Sequence, residues 1–261
     1  MAVTTLDGLI AATKRRVVYQ KTASRTSVAN IPFSVFDLAG APGAGTLAVG
    51  NTANGIVPTD AVAGYPALAT QAATLYINRI MARSSVACWF DLYDCLFSAG
   101  AYAFNANTTL TAQPSYAARV PATDYNGLEL WLEAVTAFTG SQSIRIQYLD
   151  QGGAAGDTGT IATGVAPTVG RMFFMPLAAG DSGLQQVNVV TSTVSTAGTF
   201  NVHVMRWLWG CRINAANQGV VDSFLKTGLP HIYDASALRL IVQADSTATG
   251  LPSVRAETAD G

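Results

Sequence analysis

Leu128-Glu129-Leu130-Trp131-Leu132-Glu133-Ala134, followed after Thr139-Gly140-Ser141 by Ile144-Arg145-Ile146-Gln147-Tyr148-Leu149 and then by Gln151-Gly152-Gly153, decides the fold class. Large apolar side chains recur at every second residue in both runs, the period of a strand with one face on a core. The spacers are turn residues, so the stretch predicts a β-hairpin. Further strands are expected at Gly159–Thr163, Arg171–Leu177, Leu184–Ser195, Thr199–Trp209 and Ala237–Ala244. Val86–Phe97 reads as a strand because Cys88, Phe90 and Leu92 alternate, although Trp89, Tyr93 and Leu96 also fit a helix. Short strands between Gly-rich turns, with no helices alternating among them, favour an antiparallel sandwich over a parallel α/β fold.

Outside this region the pattern differs. Leu6, Leu9, Ile10, Thr13 and Val17 fall near helical spacing after Thr4 and Thr5, so a capped helix is expected from Thr5 to about Thr22. A second helix is expected over Asn217–Lys226, with Gly228 as its stop. Residues 39–73 are rich in Gly, Ala, Pro and Asn and have too little large apolar surface for a packed element. The reading is therefore all-β: a jelly-roll-like antiparallel sandwich with an N-terminal helical arm and a long Gly/Pro/Ala-rich loop. Its expected parts are an arm over 1–40 (helix, then extended segment), an extended loop over 41–73 and a sandwich domain over 74–261.

Charged residues make up only 12% of the 261, against about 25% in average globular chains, while 49% are hydrophobic. Interface cores are depleted of charge, so a surface covered by partners is expected ahead of one made of uncharged polar residues. Fifteen basic and 16 acidic residues spread along the chain argue against a nucleic-acid binder, which needs a basic stripe. Lys14, Arg15, Arg16, Lys21 and Arg25 form one short basic cluster, read as a solvated helix face, with contact to an acidic partner as the alternative. No apolar run approaches the roughly 20 residues that cross a bilayer. Asp7 interrupts the first apolar stretch, so no secretory signal is expected, and synthesis in a reducing cytoplasm follows. Cys88, Cys95 and Cys211 cannot all pair within one chain. Buried free thiols are expected, with a disulfide formed late, outside the cell, as the alternative. The spacing does not suit zinc, and no cofactor is expected.

Gly180-Asp181-Ser182-Gly183 matches the core of the chymotrypsin-like serine signature. Leu184 stands where that signature continues with glycine, and His203 and His231 lie downstream of the serine. A tight turn is the expectation, with a hydrolase built on Ser182 as the competing reading. His203 is expected to be a hydrogen-bonded sheet residue and His231 a turn residue. Glu129 and Glu133 sit four apart on one strand, about 13 Å by strand rise, too far for a glycosidase pair. A polar outer face is expected there, with a glycan platform on Trp131, or on Trp207 and Trp209, as the alternative. Gly40–Gly50 lacks the Gly-Lys-Ser/Thr ending of a phosphate loop. Asn107-Thr108-Thr109 is a glycosylation sequon without a secretion signal to give it weight.

A series of segments resembles a family of tailed-bacteriophage virion proteins encoded among head and neck structural genes. They are Phe90-Asp91-Leu92-Tyr93-Asp94-Cys95-Leu96-Phe97, Gly127–Glu133, Tyr148 with the Gly152-Gly153 turn, Gly170-Arg171-Met172, Pro176–Gly183 and Thr196–Val202. The opening Thr5–Ala12 is consistent with it, and the resemblance spans about residues 1–215. Cys95 departs from the basic residue the family more often shows after Tyr-Asp. The resemblance implies a non-enzymatic capsid decoration (cement) protein or a neck-collar component. It implies a homotrimer of jelly-roll subunits in the virion, bound to the major capsid protein or to neck proteins. Its reaching parts would be the helix and loop, with Leu6, Leu9, Ile10, Val17, Phe33 and Phe36 as interface side chains.

Overall fold

A strand whose alternate residues are large and apolar gains most by laying that face on a second sheet. The computed structural model describes residues 5–68, 74–105, 107–164, 167–192 and 197–261. In chain order its elements begin α1 (Leu6–Ala11), β1 (Thr13–Lys21), β2 (Pro32–Ser34), β3 (Gly40–Ala41), β4 (Asn51–Ile56), β5 (Leu75–Arg83), β6 (Cys88–Ala103) and β7 (Asn107–Thr109). They continue with β8 (Leu128–Thr136), β9 (Ser143–Asp150), β10 (Ala155–Asp157), β11 (Ile161–Ala162), β12 (Met172–Met175), β13 (Leu184–Ser192) and β14 (Thr199–Ile213). The last are β15 (Gly219–Asp222), α2 (Phe224–Thr227), β16 (His231–Ile232), β17 (Leu238–Ala244) and β18 (Ser253–Asp260). The fold is all-β, a jelly-roll-like antiparallel sandwich, and the chain divides into two compact units. The first comprises Met1–Gly45, Thr59–Asp94 and Leu208–Gly261; the second comprises Thr46–Pro58 and Cys95–Trp207.

In the first unit one layer has the order β15-β5-β18-β1-β3, with β16 also on β5. In the other layer β17 pairs with β2 and with the opening half of β6. Between them lie Val17, Tyr19, Ile77, Ile80, Phe90 and Leu240, all buried. In the second unit one layer is β10-β9-β13-β7, with β11 on β9. Its facing layer has β8 between β12 and β14, while β4 pairs with the later part of β6. Leu130, Leu132, Ile144, Ile146, Tyr148 and Phe200 are among the side chains buried in its core.

Four sequence expectations are corrected. The runs Leu128–Ala134 and Ile144–Leu149 are both strands but not hairpin partners: β8 pairs with β12 and β14, and β9 pairs with β10, β11 and β13. Their apolar faces meet through the core, because the connecting segment buries Phe138 and lets the chain cross between layers. The helix expected to about Thr22 ends at Ala11. Thr5 caps it, its Oγ1 accepting from the Gly8 amide at 3.0 Å. Beyond it Val17-Val18-Tyr19, β-branched and aromatic, join β1, paired along its length with β18. Within 217–226 the first part is β15, and only Phe224–Thr227 is helical, closed by Gly228 in the left-handed region as expected. The segment 39–73 contributes β3 and β4, with 69–73 outside the described residues, as are Thr4 and 193–196.

Phe200 packs between Tyr102 and Phe104, with ring centroids 5.6 and 5.2 Å away. Phe200→Ala is expected to lower unfolding free energy by about 3–5 kcal/mol. Urea denaturation checks this, and a loss under about 1 kcal/mol would contradict the two-layer core of the second unit.

Candidate functional site

The densest group of chemically capable side chains is buried in the second unit. Asn201 and His203 alternate on β14, and Glu133 of β8 stands opposite Asn201 in register. His203 Nε2 lies 3.1 Å from Glu133 Oε2, and its Nδ1 lies 2.8 Å from Ser98 Oγ on β6. Asn201 Nδ2 donates to Glu133 at 3.3 Å and to the Leu47 carbonyl at 2.6 Å. Cys95 Sγ sits 3.3 Å from Ser98 Oγ. Gly100 makes this fit possible, since a Cβ there would stand 2.3 Å from Asn201 Oδ1.

Serine, histidine and a carboxylate in a row are the inventory of a nucleophilic triad. Here they are 3%, 1% and 0% exposed, and a nucleophile must meet its substrate. What the arrangement does in this fold is satisfy polar groups that the packing has desolvated. The outward face expected for Glu133 is thereby corrected: its side chain is fully buried, bonded to Asn201, which also reaches the carbonyl of Leu47. His203 is the hydrogen-bonded sheet residue that was expected. Ser98 and Asn201 were not read as members of any site.

Lys21, expected on a solvated helix, is buried in the first unit. Its ammonium donates to the carbonyls of Leu38 at 2.9 Å and Pro42 at 3.0 Å, clasping the turn after β2. Burial lowers its pKa to about 8, with Asp37 acting in the opposite sense. Arg25 pairs with Asp37.

All three cysteines are buried thiols outside any disulfide. Burial pushes the Cys88 thiol up to about 11 and the Cys211 thiol up to about 12. Among the described residues no cluster of three or more His, Cys, Asp or Glu could hold a metal ion. No helix among them is long and apolar enough to cross a membrane.

Gly180–Gly183 is the turn before β13. Ser182 Oγ bonds the Asn126 side chain, and the Ser182 carbonyl accepts from the Gly127 amide at 2.7 Å. Asp181 accepts from Tyr148 Oη at 2.6 Å. His231 lies against Tyr76 and Tyr233, and His203 is held by Glu133 and Ser98. Of the tryptophans named as a platform, Trp131 and Trp209 are buried, donating to Glu129 and Asp222, and Trp207 is half exposed. Of the interface side chains, Leu9, Val17, Phe33 and Phe36 are buried within this chain, while Leu6 and Ile10 are 60% and 69% exposed.

No family model and no curated protein sequence matches this chain. Among solved structures, a chain from the crystal structure of PirA is 12% identical with TM-score 0.20, over 31% of this chain and 69% of that one. Chains from structures of infectious bursal disease virus, Gt and Gx strains, are similar over 95% of this chain. The Gt chain is 9% identical with TM-score 0.19 over 81% of its own length. The Gx chain is 11% identical with TM-score 0.18 over 80%. Overlaps this slight transfer no activity to this chain.

Two outcomes follow from the buried polar groups. His203→Leu removes a partner of both Glu133 and Ser98 and is expected to cost about 1–3 kcal/mol. Glu133→Leu added to it should recover part of that loss in urea melts, because an apolar pair needs no partners. For Lys21, a folded pKa of about 8, below the ordinary lysine value of 10.5, means that the unfolded chain binds the proton more tightly between the two. Stability should therefore rise from pH 8 toward 10.5, and Lys21→Met should remove that rise in melts across the same window.

Proposed function

We propose that this chain is a non-enzymatic structural protein of a tailed-bacteriophage virion. It decorates the capsid and stabilises it as a homotrimer bound to the major capsid protein, after assembly in the host cytoplasm. The observation that carries the reading is the apolar pair Leu6 and Ile10, held outward on α1 while Leu9 anchors the helix inward. Solvent contact at such a pair is unfavourable, and covering it favours assembly at about 25 cal/mol per Å² of apolar area. The low charge content and the segments that resemble head and neck proteins support the same reading. A protein of this kind acts by mass action, binding the mature lattice in preference to its precursor. A collar position would use the same contacts.

Removing residues 1–40 is a poor test, since β1, β2 and Lys21 belong to the first unit's core. Leu6→Asp with Ile10→Asp in the full chain is the better one. Incorporation into particles is expected to fall roughly 10-fold or more, as for loss of an interface hot spot, with the circular dichroism spectrum unchanged. Normal incorporation of that variant would refute the reading. The half-exposed Trp207 favours a second reading, a host-glycan module, which glycan-array binding abolished by Trp207→Ala would support.

A further inference from the structure

The strand pairing of the first unit gathers cations that are far apart in sequence. On the outward side of the β15-β5-β18-β1 layer three rows run across the strands. Gln20, Ser253, Arg83 and Gly219 form one; Val18, Arg255, Met81 and Val221 the next; Arg16, Glu257 and Arg79 the third. Arg16, Arg79, Arg83 and Arg255 are all exposed, and Glu257, bonded to Asn78, is the one carboxylate in these rows. A groove of about 410 Å³ is lined by Arg83 and Arg255 together with Met81, Val221 and Gln20. Arginine interleaved with Met and Val, with Lys14 tied back to the carbonyls of Leu9 and Ile10 in α1, is the composition of a protein contact. A phosphate-tracking surface would instead combine such charge with aromatic stacking platforms.

The second unit carries the opposite charge. Of the 15 basic residues only Arg119, Arg145, Arg171 and Arg206 belong to it. A hollow of about 480 Å³ is lined by Asp157, whose carboxylate Arg145 already pairs, and by Asp181, which accepts from Tyr148, beside Gln147 and Asn188, so the excess negative charge there comes from Asp181. Asp124 joins this end through Asn126, which bonds Ser182 next to Asp181.

We propose that a second copy of this chain docks on the arginine-lined face of the first unit, presenting to it the carboxylate-lined hollow of its own second unit. The proposal rests on the reading that the chain packs against copies of itself, and it names the surfaces. Two different patches meeting head to tail form a heterologous contact, the kind that closes a ring such as a trimer. Four strands about 4.8 Å apart and some seven residues at about 3.3 Å give a flat footprint of roughly 400 Å². That is about half the area per partner of a standard specific interface, so the contact is weak and its strength rests on the charges it brings together.

Sedimentation velocity on the full chain tests this, in roughly 50 mM and 500 mM salt, between which screening removes most of the long-range attraction. Association is expected at the lower salt and to weaken at the higher. Arg83→Glu with Arg255→Glu should weaken it roughly 10-fold or more, as should Asp124→Lys with Asp157→Lys. Joining both pairs in one chain should restore it, because the reversed face then meets a reversed hollow. Circular dichroism confirms that each variant is folded. A chain that stays monomeric at both salts overturns the proposal, as does association unaffected by the arginine reversals. So does a face that captures single-stranded DNA but no second copy. Any of these leaves the virion reading to its own incorporation test, which uses α1.

Discussion

A polar side chain on a strand covered from both sides must find its partner inside the protein, and much of this structure is arranged around that constraint. β6 and β14 are buried along most of their length, yet their sequences include Asp94, Ser98, Asn201 and His203. Asp94 is answered by the Ser236 hydroxyl at 2.7 Å and the Ala237 amide at 3.1 Å. Ser98, His203 and Asn201 are answered by Glu133 and by the carbonyl of Leu47. An unmet group in such a place would cost about 1–3 kcal/mol. The partners therefore fix which segments lie over these strands as firmly as the apolar contacts do.

The same constraint explains why glycine-rich chain without large apolar side chains is nevertheless held in place. The turn after β2 offers its carbonyls to Lys21. Arg119 donates to the carbonyl of Cys95 at 2.9 Å and also to that of Pro58. In both cases a buried cation with several donors gathers backbone carbonyls from separate stretches of chain. These segments owe their positions to charge-assisted hydrogen bonds where apolar burial is scarce.

The sequence reading was strongest where period and composition agreed. Leu128–Ala134, Ile144–Leu149, Thr199–Trp209 and Ala237–Ala244 are strands because alternation reports a local property. Pairing depends on which surfaces meet elsewhere, and so β8 and β9 read as a hairpin when they face one another from opposite layers. Residues 5–22 misled because Leu6, Leu9, Ile10, Thr13 and Val17 fit a helix by count, while Val17-Val18-Tyr19 carried the contrary preference. Glu133 read as outward because a strand exposed on one face was assumed. Nothing local signals that Asn201 and His203 of β14 meet it inside the fold. The arginine face escaped notice for a similar reason: residue 16, residues 79 and 83, and residue 255 lie in three separate stretches of chain and meet only through the register of β1, β5 and β18.

The lengths of the outermost strands have one more consequence. The three sheets end in β15 and β12 of four residues, β10, β7 and β2 of three, and β3 of two. Terminal strands this brief offer a neighbour little ladder of their own to extend, and the longer open edge beside them is that of β1, which β3 meets only at Gln20 and Lys21. Backbone pairing between copies, the route by which open-ended fibrils grow, is thereby limited at the short rims and left to the charged opening of β1, where Lys14, Arg15 and Arg16 repel a second copy of themselves.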